Sequence, residues 1–197
     1  MGSVIRAVTA VVTAVVTAGV LLATVGQGTA GAAPPAAGFA AQSRAAGLSA
    51  EQAAGLQAKV DGYLTSLGGR GTQVSPNQIA LDGAVVSVTV PGEVGPRQLV
   101  AASRAEYRVA VCHPGGAAYG WFCAFERGSF TGDHVAMYNC VDYFIPWYTT
   151  GSWDNNQTPG TRPLLYFSNG TWWNMPGAPA SQRSGVDWSP VAYIVPC

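Results

Sequence analysis

The residues able to do chemistry in this chain are few. Two histidines occur, His113 beside Cys112 and His134 beside Asp133. A carboxylate that orients an imidazole is the core of a general-base pair. Asp133 and His134 are adjacent, however, and adjacent residues on a strand point to opposite faces, so this acid is badly placed to orient this base. Four cysteines, Cys112, Cys123, Cys140 and Cys197, are the remaining candidate nucleophiles. Paired as disulfides, they leave no thiolate. The sequence contains no G-x-S-x-G, H-E-x-x-H or glycine-rich phosphate loop. Catalysis therefore has little support: the chain reads as a non-enzyme without a cofactor, and no catalytic or metal-binding residue is assigned.

Binding chemistry has better candidates. "WDNNQT" is the most polar cluster of an aromatic-rich region, and Trp153, Asp154, Asn155 and Asn156 are candidate partner contacts. Asx residues in such a run also make turn hydrogen bonds, and that structural reading is favoured. Trp172 and Trp173 are adjacent in a strand-like run and must face opposite ways, so that one of them is available to a sugar or a partner's pocket, with partial cover by the N-terminal module as the equal alternative.

The cysteines also carry information about compartment. "MGSVIR" with Arg6, an apolar run from Ala7 to Val25, and Ala30 and Ala32 at A-x-A spacing have the layout of a secretory signal cut after Ala32. An uncleaved anchor is the competing reading. The expectation is a secreted, extracellular protein with no membrane attachment after cleavage. Four cysteines allow three pairings. The favoured one joins Cys112 to Cys123 and Cys140 to Cys197, keeping the short loop local and tying down the C-terminal residue. A zinc site would call for ligand pairs such as C-x-x-C, and none is present. Formal net charge is zero and charged residues make up 10% of the 197. Without a basic run, nucleic-acid binding has no electrostatic footprint.

The elements that must position these residues fall into two compositional parts. Before Cys112 the only aromatics are Phe39, Tyr63 and Tyr107, and all six tryptophans come later. The contrast suggests that the parts do not share one kind of core. Residues 33–47 have linker composition. Residues 48–109 predict a helix plus a β-hairpin, with a removable pro-segment as one reading. Ser49 and Gln52 form a capping box, Leu56, Val60, Tyr63, Leu64 and Leu67 share a face, and Gly68–Gly69 stop the helix. "QIAL" and "AVVSVTV" flank Asp82–Gly83, a two-residue turn signal. Residues 110–197 read as short strands, "GWFCAFE", "HVAMYNCV", "RPLLYFS", "TWWNM" and "VAYIVPC". The intervening "TTGSWDNNQTPG" and "MPGAPASQRSG" read as breaks.

In "CAFERGSFTGDHVAMYNC", Phe125, Phe130 and Gly132 stand as an aromatic, four residues, an aromatic, one residue and a glycine. This resembles the hairpin signature of the βγ-crystallin fold. The resemblance implies that Gly132 adopts a positive φ, that the hairpin folds over Phe125, and that the hydroxyl of Ser152 ties it down. In a weaker second copy, Tyr166 and Gly170 make the hairpin and Ser189 stands where Ser152 stands. The implied fold is all-β, a double Greek key over 110–197. The family's calcium positions, four and five before each serine, hold Tyr148 and Trp147, then Gly185 and Ser184, none of which suits calcium.

The whole C-terminal part resembles the secreted actinobacterial peptidase inhibitors typified by the Streptomyces metalloproteinase inhibitor. The resemblance rests on "CHPGGAAYGWFCAF", "FTG", Cys140, "GSWDNNQTPGT" and the terminal cysteine. It implies an inhibitor whose partner is an extracellular protease, while the signal layout and the even cysteine count point to a disulfide-bonded monomer. The family's close cysteine pair has no counterpart after Cys140, so no inhibitory residue is carried over. The alternative is an extracellular module recognising a glycan or protein surface, or a structural secreted protein without a small ligand.

Overall fold

The computed structural model describes residues 35–100 and 111–197. The expected signal peptide, residues 1–32, lies outside them. Part of the segment expected as a linker is helical: α1 spans Pro35–Ala45. Alanine-rich composition suits a linker, but alanine is also the strongest helix former, and proline is well placed at the first helical position. Helix α2 spans Ala50–Ser66 with both halves of the Ser49–Gln52 capping box formed. Leu56 and Val60 are buried on its expected face. Gly68 and Gly69 follow with φ of 59° and 82°.

Strands β1 (Thr72–Ser75), β2 (Gln78–Leu81) and β3 (Ala84–Ser87) run antiparallel. Asp82 and Gly83 close the β2–β3 turn, with Gly83 at φ 68°. After residue 110 come β4 (Cys112–His113), β5 (Gly116–Ala117), β6 (Phe122–Arg127) and β7 (Thr131–Met137). They are followed by β8 (Tyr143–Phe144), β9 (Thr150–Asn155), β10 (Leu164–Phe167), β11 (Trp172–Asn174), β12 (Ala180–Asp187) and β13 (Val191–Val195). The described chain is thus predominantly β.

Three sheets form. One has the order β1-β2-β3-β7-β6-β9-β12, a second β11-β10-β13-β8, and β4 and β5 make a small ribbon. The compositional boundary near residue 110 does not interrupt the large sheet, because β3 pairs with β7 from Ala84↔Met137 to Ser87↔His134. Two strands are exchanged. β8 follows β7 in sequence but joins the four-stranded sheet, whereas β12 follows β11 but pairs with β9 in the seven-stranded one.

The core does not respect the compositional boundary either. Leu56, Val60, Ile79 and Val86 lie in one cluster with Phe122, Trp147, Trp153, Leu165 and Ile194. The small residues from Ala84 to Val90 are all buried, and Ala84, Val86, Val88 and Val90 belong to the same cluster as these aromatic rings. The disulfides pair as expected, Cys112 with Cys123 and Cys140 with Cys197.

Two segments read as breaks are strands, β9 within "TTGSWDNNQTPG" and β12 within "MPGAPASQRSG". Turn-type residues are tolerated in β9 because it sits between β6 and β12, where Ser152 and Asn155 find partners across the fold. β12 is an edge strand with most residues open to solvent, so its polar composition carries little cost.

Candidate functional site

The turn between β6 and β7 is built from unusual backbone. Ser129, Phe130 and Gly132 have φ of 58°, 60° and 77°. This folds the hairpin so that the Phe130 ring lies 5.1 Å from Phe125, which is fully buried. Ser152 fastens it: its hydroxyl accepts from the Phe130 N–H at 3.0 Å and donates to the Arg127 carbonyl at 2.6 Å. Above, the Arg183 guanidinium sits 4.4 Å from the Phe130 ring. The second hairpin is held differently. Gly170 has φ 83°, but Ser189 is exposed in the turn before β13, its N–H on Asp187 Oδ1. Tyr193, not Ser189, stands opposite Tyr166, and the Ser168 N–H donates to the Pro190 carbonyl.

The "WDNNQT" residues divide by burial. Trp153 and Asn155 are buried, at 1% and 0% exposure, which removes both from the set of partner contacts. Asn155 donates to the Thr161 carbonyl and accepts from the Gln157 N–H. Asp154 accepts from the Ala117 N–H and Asn156 donates to the Ala117 carbonyl, so both clamp the β4–β5 ribbon. Trp172 and Trp173 face opposite ways: Trp172 is 64% exposed, while Trp173 is 38% exposed with its ring 6.4 Å from Trp153.

A polar cluster that sequence reasoning missed lies between α2 and β7. Asp133 is buried and accepts from Lys59 Nζ at 2.8 Å, the Tyr63 hydroxyl at 2.7 Å and the Thr89 N–H at 2.7 Å. Tyr63 in turn accepts from the Trp147 indole N–H at 2.7 Å. Burial, reinforced by the Asp133 carboxylate, raises the Tyr63 hydroxyl well above its ordinary pKa, so it stays a donor. Lys59 is the sole lysine of the chain, and its i, i+4 spacing from Tyr63 was the available signal.

This cluster steadies the segment between β8 and β9. Ile145 and Trp147 are buried while Tyr148, between Trp147 and Thr149, is 81% exposed. Trp147 is fixed by Tyr63 and by an edge contact with Trp188 at 5.8 Å. Thr149 donates to the Glu126 carbonyl at 2.7 Å, and its own carbonyl accepts from the Trp188 N–H. Tyr148 is thus displayed from a segment pinned on both sides.

The two histidines have unlike settings. His134 packs 5.6 Å from the Phe125 ring, and burial, with a smaller contribution from His113, lowers its pKa to about 4 against the opposing pull of Asp133. His113 is exposed and its Nδ1 accepts from the Gly115 N–H. Asp133 turns to α2 while His134 packs on Phe125, so they share no site. Among the described residues no group of three or more His, Cys, Asp or Glu side chains is placed to hold a metal, and no helix is long and apolar enough to cross a membrane. Comparison with protein-family models, curated proteins and solved structures finds no match.

Proposed function

We propose that this is an exported, non-catalytic binding protein of the peptidase-inhibitor class, in which a βγ-crystallin-like double Greek key presents Tyr148 to the cleft of an extracellular metalloprotease. The observation that carries the reading is the pinned display of Tyr148. An exposed aromatic ring on a segment already fixed by Trp147 and Thr149 loses little conformational entropy on docking. Large aromatic anchors also dominate the energetics of protein interfaces. The crystallin-like part of the reading is supported by the exchange of β8 and β12 between sheets and by the hold of Ser152 on the folded hairpin. Two disulfides add the rigidity that resistance to turnover requires, and they suit an oxidising, extracellular setting.

Titration of the purified chain against a thermolysin-like metalloprotease tests this. Stoichiometric inhibition is expected, weakened about tenfold or more by Tyr148→Ala through loss of a hot-spot ring. Full protease activity at a large excess of folded protein would exclude that protease class, and undiminished inhibition by Tyr148→Ala would remove the loop from the interface.

A further inference from the structure

The outer face of the four-stranded sheet carries a row of rings. Trp172 on β11 stands directly opposite Tyr166 on β10, Tyr166 opposite Tyr193 on β13, and Tyr193 opposite Phe144 on β8. Residues opposite one another in a sheet share a face, so one aromatic from each strand lies in a single line. Their neighbours along the strands, Leu165, Ile194 and Tyr143, point the other way and are buried. The row itself is open: Trp172 is 64% and Tyr193 38% exposed. Tyr166 and Tyr193 stack at 4.8 Å, and Trp172 ends the row on an edge strand. Nothing in the core calls for these rings.

We propose that this row is a docking surface for a linear neutral polysaccharide, separate from the Tyr148 segment. Two features select that occupant. The first is charge: the four ring residues and the adjoining row, Asn174, Leu164 and Val195, include no ionisable acid or base of the Asp, Glu, Lys, Arg or His kind, and at the Phe144 end Arg70 and Asp142 pair with each other at 3.4 Å. Such a face gives an anionic polymer no counter-charge. It offers ring surface to the C–H faces of sugars, and phenol and amide groups to their hydroxyls.

The second is size. With aromatic side chains of roughly 150–250 Å² each, these exposures leave at most about 400 Å² open. A stable protein interface buries about 800 Å² per partner, so the row is too small to hold a second copy of this chain alone. Three strand spacings of about 4.8 Å make a track about 14 Å long, enough for a short run of sugar rings.

The test is retention of the full chain on amorphous cellulose and on chitin, with sedimentation measured in parallel. Retention on at least one polymer is expected, reduced about tenfold or more by Trp172→Ala and by Tyr193→Ala, equivalent to one strong contact. Tyr119→Ala removes an aromatic outside the row that is more exposed than either Trp172 or Tyr193 and is expected to change nothing. Failure to bind either polymer, undiminished retention of Trp172→Ala, or an equal loss with Tyr119→Ala would overturn the proposal. So would a dimer abolished by Trp172→Ala, which would give the face to a second copy. Because Trp172→Ala exchanges an exposed side chain, it leaves folding intact, and a circular dichroism spectrum checks this. Inhibition by Tyr148 plays no part in these readouts, so either idea can fail alone.

Discussion

Lys59 Nζ lies 2.8 Å from Asp133 Oδ1 although 74 positions of chain separate them. The carboxylate is 1% exposed and the ammonium partly open, so the pair is buried on one side only. Burying a carboxylate is costly unless it is paired and hydrogen-bonded, and Asp133 has Lys59, Tyr63 and Thr89 as donors. Lys59→Met should therefore destabilise the chain by about 2 kcal/mol, and Asp133→Ala by about 3 kcal/mol, since three donors then lose their acceptor. Urea denaturation measures both. Wild-type midpoints would mean that the cluster contributes nothing to stability.

The folded hairpin supplies a second pair of expectations. A Cβ at Gly132 would meet Glu126 Oε2 at 2.8 Å and Arg127 Cγ at 3.0 Å, and the residue has φ 77°. Gly132→Val should cost at least about 1–2 kcal/mol, from positive φ and crowding together. Ser152→Ala leaves the Phe130 N–H and the Arg127 carbonyl unpaired and should cost about 1–3 kcal/mol. Thermal melts monitored by near-UV circular dichroism would register both losses. Unchanged melts would show that the hairpin holds its shape without its tie.

His134 makes stability depend on pH. Its folded pKa is about 4, below the ordinary value of 6.5. Below pH 6.5 the unfolded chain takes up a proton that the folded chain refuses, so folding loses stability as pH falls. The contribution is intact above pH 6.5, drains away between 6.5 and about 4, and changes no further below that. Its full size is about 3 kcal/mol. Unfolding free energies from pH 7 to pH 4, compared between wild type and His134→Gln, isolate it, and identical slopes in the two proteins would refute it.

The disulfides differ in the span they close. Cys140 and Cys197 are 57 residues apart, and Cys112 and Cys123 are 11 apart. Chain-entropy arguments give about 4 kcal/mol for the longer loop and about 3 kcal/mol for the shorter. The Cys140→Ser/Cys197→Ser protein should thus melt below the Cys112→Ser/Cys123→Ser protein. Thiol titration of the folded wild type should find no free cysteine. The opposite order of melting would indicate that native-state contacts, not loop length, set the ranking.

Features determined by near neighbours were legible in the sequence. The Ser49–Gln52 box, the Gly68–Gly69 stop and the Asp82–Gly83 turn each depend on a few adjacent residues, and each formed as expected. The hold of Ser152 on the β6–β7 hairpin was legible only through the resemblance of the Phe125, Phe130 and Gly132 spacing to a known hairpin signature. Features that depend on distant partners were not legible. Nothing near Asp133 in sequence announces Lys59, and nothing in "WDNNQT" says that Asn155 will be buried and satisfied by Thr161. Ser189 lies in the turn before β13, and only the strand register shows that Tyr193 stands opposite Tyr166. The row of rings could not be read at all, since it needs the register of four strands.

The pairing of β3 with β7 bears on what happens if the chain is nicked. A cut between Val100 and Val111 would sever the backbone and leave the piece from α2 to β3 seated, held by a four-residue ladder and the Asp133 donors. The two fragments should behave as a complementing pair, co-migrating until denatured. Stripped of its companion, the later fragment would display β7 as a bare, apolar ribbon margin, ready to recruit any extended chain it met. Residues 72–87 thus cover the β7 edge that the later strands of the sheet leave unpaired.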